Sequence, residues 1–140
     1  MNTTVSMLYL KTELTLKTKK QLINENAVME LLGNELPSTN ELMERKADSS
    51  NVYKTIQYFA DFTKQLIQNG NFKEVKHCFK IADKMLQQGN SAVKNAIENV
   101  FVFSLSSVLD MSNPICDKVK SLLTDSLRKE YQNQVNASGI

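Results

Sequence analysis

The residue types best suited to covalent chemistry in this chain are one histidine, His77, and two cysteines, Cys78 and Cys116. A cysteine beside a histidine could work as a thiolate–imidazolium nucleophile. Cys78 follows His77 directly, but neighbours on a helix point about 100° apart. Cys78 therefore faces the apolar side of its segment and His77 faces water. One histidine cannot build a histidine metal cluster, and the two cysteines lack the paired spacing of zinc sites. No glycine-rich phosphate loop, Walker pattern or HExxH occurs. Carboxylates could meet across elements, but only the fold would bring them together. The residues predict no catalytic group, no bound metal and no cofactor.

The most distinctive polar pattern is basic. Lys73, Lys76, His77, Lys80 and Lys84 fall within an arc of roughly 100° on one helix. Lys76, Lys80 and Lys84 are like charges at i,i+4 spacing, and each such pair costs an isolated helix about 0.2–0.5 kcal/mol. Residues 71–94 hold five lysines against Glu74 and Asp83, whereas residues 24–48 hold Glu25, Glu30, Glu35, Glu41, Glu44 and Asp48 against Arg45 and Lys46. The stripe is either a solvated face, set against the acidic segment, or a docking patch for an acidic protein. Nucleic acid is a third reading. Single-strand binders add exposed stacking aromatics, and only Tyr58, on the polar side of its helix, is placed to serve as one.

The elements carrying these residues read as helices. With four glycines and two prolines in 140 residues, the chain lacks the turn material of a many-stranded sheet. A helix is expected from about Lys19 to Leu36, stopped by Pro37. A short one follows from Ser38 to about Lys46, opened by Ser38 and Glu41 as a capping box. Val52 to Asn69 places Val52, Ile56, Phe59, Ala60, Leu66 and Ile67 on one face, and Gly70 ends it in the left-handed conformation. Phe72 to Gln88 is the clearest amphipathic helix, capped by Gly89. From Ala92 to Leu109 the apolar residues point in nearly every direction, which marks a buried central helix. The β-branched and aromatic run Val100 to Leu105 also allows a strand. Asn95 and Asn99 read as buried amides bonded to neighbouring backbone. After Ser112-Asn113-Pro114 a last helix runs to about Gln134.

Near the start, Leu8, Leu10, Leu14 and Leu16 alternate with polar residues, a strand signal without a later partner strand. It pairs with its own copy in a homodimer, or the segment is helical or loose. The boundaries are thus an N-terminal extension at 1–17, one helical domain at 18–135 and a tail at 136–140. The joints Gln68-Asn69-Gly70-Asn71 and Gln87-Gln88-Gly89-Asn90 echo each other, as stacked helix pairs would. The expected fold is all-α: an irregular bundle or a short α-solenoid of HEAT-like pairs, with five to six helices.

A net charge of +2 is too small to argue for nucleic acid by itself. No stretch reaches the ~20 apolar residues of a membrane span, and no signal-peptide run is visible. Two thiols without a disulfide framework fit a reducing compartment. The expected location is the cytoplasm, away from membranes.

Residues 53–109 resemble a family of small bacterial all-helical proteins. The resemblance rests on Phe59-Ala60, Gly70-Asn71, Val75, Cys78-Phe79, Ala82-Asp83, Leu86, Gly89-Asn90, Val93 and Asn95-Ala96-Ile97. Some members lie near polymorphic toxin genes, which implies an immunity-like binding role. The sequence therefore points to a non-catalytic protein-binding module with an acidic partner. A nucleic-acid-associated regulator and an enzyme with a site assembled by the fold are the other two classes.

Overall fold

A computed structural model describes residues 22–37 and 51–137. The architecture is all-α, a bundle of six helices among the described residues. They are α1 (Glu25–Glu35), α2 (Val52–Gln68), α3 (Phe72–Gln88), α4 (91–109), α5 (Pro114–Leu122) and α6 (Asp125–Ala137). The period-two segment near the N-terminus and the short helix expected from Ser38 lie outside the described residues.

Helices α2 and α3 occupy the expected spans, and their joint shows why. Asn51 Oδ1 caps α2 by accepting from Lys54 N at 3.3 Å. Gly70 has φ +71°, the left-handed conformation that favours glycine. It lets Asn71 N donate back to Leu66 O at 2.9 Å and closes the helix end. A joint this short returns the chain alongside itself. Two buried threonines on α2 remain satisfied, Thr63 Oγ1 donating to Phe59 O at 2.8 Å and Thr55 Oγ1 to Asn51 O at 3.3 Å.

Helix α4 is central, packing against α2, α3, α5 and α6. Phe101 sits at its middle, stacked on Phe59 of α2 (centroids 4.8 Å apart) and edge-on to Phe79 of α3 (6.4 Å). All three rings are fully buried. The strand alternative for 100–105 is replaced by helix, and residues 97–102 wind as a π-helix between two α-helical stretches. The sequence explains the change of winding. Val93, Ile97, Phe101, Leu105 and Leu109 recur at every fourth position, and all are buried. Four α-helical residues overshoot one turn by about 40°, so four such steps would swing the row by about 160°. A π-turn turns less per residue and brings the row back toward one side. The same rewinding leaves Phe103 66% exposed. Helix α4 is thus apolar all round by sequence but not buried all round. Asn95 and Asn99 are exposed, not buried, and bond each other at 3.2 Å.

Two boundaries differ from expectation. Residues 22–24 are not helical: Ile23 forms an isolated parallel β-bridge with Gly89, its N–H donating to Gln88 O and its carbonyl accepting from Asn90 N, both at 2.8 Å. Asn24 then caps α1, its Oδ1 accepting from Ala27 N at 2.9 Å. Gly89 is extended here (φ −74°), not left-handed. A Cβ on it would meet the Met85 carbonyl oxygen and lie 2.6 Å from Val93 Cγ1, so glycine is required for close approach. The last expected helix is two. Leu123 is extended, and Thr124 Oγ1 accepts from Leu127 N at 3.3 Å to start α6. The same hydroxyl donates to Asp83 Oδ1 on α3 at 3.1 Å. Threonine as an N-cap and aspartate in the first turn are ordinary helix-start chemistry.

Candidate functional site

The residues singled out by type and spacing do not form one site. Cys78 is fully buried, and burial pushes its thiol up to about 11. A thiol so placed remains protonated and inert at neutral pH. His77 turns to α1 instead: its Nε2 lies 2.9 Å from the Glu35 carbonyl oxygen. A carbonyl only accepts, so Nε2 carries the proton. His77 thereby satisfies a carbonyl at the C-terminal end of α1. Among the described residues no cluster of three or more His, Cys, Asp or Glu is arranged to hold a metal ion.

The basic stripe divides in two. Lys73, Lys76 and Lys80 are exposed, without an ion pair among the described residues. Lys84 turns toward α1 and lines a shallow groove of about 320 Å³ with Ala27, Glu30 and Gln88. Acidic α1 thus flanks one edge of the stripe, and the other edge faces solvent. Tyr58 is half-buried and packs against the core. It makes no hydrogen bond or ring contact with the lysines.

A second concave feature lies between the end of α4 and helices α5 and α6. It is a cleft of about 570 Å³, within the range that ligand sites occupy. Phe103 and Ser106 form one wall and Lys120 another. Tyr131, Gln134 and Val135 of α6 form a third, and Asp110 closes the end. Met111 and Ile115, 52% and 56% exposed, follow Asp110 at the α4–α5 joint.

Hydrogen bonds fix this cleft's polar groups. Tyr131 Oη donates to Asp110 Oδ1 at 2.5 Å. Burial first, then that hydrogen bond and the aspartate's charge, push the tyrosine up to about 12. Gln134 Nε2 donates to the Glu98 carbonyl oxygen in the π-segment at 2.7 Å and to Glu130 Oε2 at 2.9 Å. Ser106 Oγ donates to Phe103 O at 2.6 Å. The Glu98 carboxyl is raised above its ordinary value by burial and, second, by the nearby Glu130 charge. The cleft can hold a polar or charged group against an aromatic wall. Sequence spacing could not have revealed it, because Asp110 and Tyr131 are 21 positions apart on different helices. The signal available was Phe103 itself, an apolar residue lying off the four-residue row of buried positions.

Among the described residues no helix is long and apolar enough to cross a membrane. No curated protein and no solved structure matches the chain. A family model described as a domain of unknown function, DUF7674, matches residues 29–137, from within α1 to the end of α6, a longer span than the resemblance at 53–109. It takes in both the lysine face of α3 and the cleft, and the chain accordingly belongs to the DUF7674 family.

Proposed function

We propose that the protein is a non-catalytic binding module that grips a partner protein across the cleft between α4, α5 and α6. The observation that carries this reading is Phe103, 66% exposed on the most central helix of the bundle and forming the cleft's wall. A large exposed aromatic beside a concave, partly polar surface is the usual anchor of a protein contact. Met111 and Ile115 extend the apolar rim. Lys73, Lys76 and Lys80 contribute long-range attraction for an acidic surface, which raises association rate more than affinity. Two unpaired, buried thiols are consistent with a reducing compartment, and we place the protein in the cytoplasm. The resemblance adds the finer form of the proposal, an immunity-like module that neutralises a toxin of the same cell.

The test is capture on immobilised protein from an extract of the source cells. Phe103→Glu should abolish retention of the partner. Reversing Lys73, Lys76 and Lys80 to Glu should slow association and flatten its salt dependence while leaving the cleft contact intact. Retention unchanged in Phe103→Glu overturns the reading. Retention of generic RNA or DNA, falling steeply with salt, would support the nucleic-acid alternative.

A further inference from the structure

The cleft's hydrogen-bonding inventory is lopsided. The Tyr131 hydroxyl, both Gln134 amide hydrogens and the Ser106 hydroxyl already donate to protein oxygens. Apart from the Lys120 ammonium, what remains toward the cleft is accepting. Asp110 Oδ2 and Gln134 Oε1 have no partner among the described residues, and an ionised carboxylate offers about four lone-pair sites. Lys120 is the one lining side chain with free donors. An incoming group must therefore supply N–H bonds and positive charge at the Asp110 end. It must also tolerate an aromatic face, since the Phe103 ring stands open.

We propose that this cleft takes an arginine side chain of the partner protein, the guanidinium donating to Asp110 and Gln134 with its plane laid on Phe103. Guanidinium fits better than ammonium because it is planar, is weakly hydrated, presents several donors in a fixed fork and stacks on aromatic rings. Glu130, held on Gln134, adds negative potential behind the acceptors. Lys120 opposes a bare cation, so the partner's arginine is accompanied by a carboxylate that reaches Lys120. This inference rests on the binding-module reading and names what the partner presents to that site.

The test is an amide-resolved NMR titration of the full chain with N-acetyl-arginine amide. The lysine and glutamate analogues serve as comparisons. Saturable shifts are expected at Phe103, Ser106, Asp110 and Gln134 with the arginine probe, weaker ones with lysine and none there with glutamate. Asp110→Asn, which still accepts from Tyr131, should weaken the arginine probe about tenfold, the loss of one charge-assisted bond. Lys120→Gln should strengthen it. Tighter binding of the glutamate probe in the cleft, or no saturable shift with arginine, overturns the proposal. If the probe fails but Phe103→Glu still abolishes partner capture, the binding module stands and only the arginine assignment falls.

Discussion

Tyr131 on α6 and Asp110 at the end of α4 are joined by a 2.5 Å hydrogen bond, phenol to carboxylate. The bond ties the last helix to the central one across the floor of the cleft. Removing the hydroxyl in Tyr131→Phe should lower stability by about 1 kcal/mol, the usual worth of such a bond when partly solvated. The tyrosine's pKa rises from 10.0 to about 12 on folding. Between those values the folded chain keeps a proton that the unfolded chain loses, so stability falls as pH rises through that window. Tyr131→Phe should flatten the fall, as read from the urea midpoint between pH 9 and 12.

Cys78 should give a second alkaline slope, starting lower. Its thiol moves from 9.0 to about 11, so its contribution is complete below pH 9 and is lost as pH rises through 11. Cys78→Ala should remove that component and cost some core packing. In the folded protein, Cys78 should react with a thiol reagent only as fast as the chain opens. Rapid labelling under native conditions would contradict its burial.

The two joint glycines should respond differently to the same substitution. Gly70 has positive φ and open space around it, so Gly70→Asn, a residue that tolerates this conformation, should be nearly neutral. Gly89 has an ordinary φ but is walled in by the Met85 carbonyl and Val93. Even Gly89→Ala should cost about 1–3 kcal/mol, as overpacking does, and Gly89→Asn more. Thermal unfolding of the three variants checks both halves.

Deleting a helical residue ordinarily rotates everything after it by about 100° and breaks the core. A π-segment is an α-helix carrying extra chain, so α4 should accept a deletion that α3 cannot. Removing exposed Asn99 should leave a folded protein with α-helical winding through 97–102. Removing exposed Lys80 from α3 should unfold it. Amide chemical shifts and denaturation midpoints distinguish the two results.

Phe101→Ala should cost about 3–5 kcal/mol, typical of a fully buried aromatic truncated to a methyl. It removes the ring that Phe59 and Phe79 both contact. A loss under 1 kcal/mol, measured by denaturant titration, would show that α4 is not the centre of the core.

Helices α2 and α3 were legible because their apolar faces keep α-helical period and end at Gly70 and Gly89. Pro114 marked the start of α5. The break before α6 was hidden because Leu122, Leu123 and Leu127 continue an acceptable helical face past it. Only Thr124, a capping residue with a tertiary partner in Asp83, shows why the chain turns. The π-segment was visible in principle in the four-residue spacing from Val93 to Leu109, but the added apolar residues at 100, 102, 103 and 108 masked the row. The lysine stripe was legible as a stripe. Its division was not, because α1 lies along one edge through contacts at Glu35–His77 and beside Lys84, which link distant positions. The cleft was illegible for the same reason: its polar floor joins residues 98, 110, 130, 131 and 134, which no local period relates.

The parallel bridge between Ile23 and Gly89 carries a consequence for the order of events during synthesis. The strip at 22–24 is made before its bridge partner and cannot pair until residues 88–90 have followed and the α3–α4 joint has formed. Asn90, which caps α4 and also donates to Glu25 at 2.6 Å, is part of that joint. Helix α1 leaves the ribosome ahead of α2 and α3, yet its seat is complete only when chain some 65 positions after Glu25 has followed.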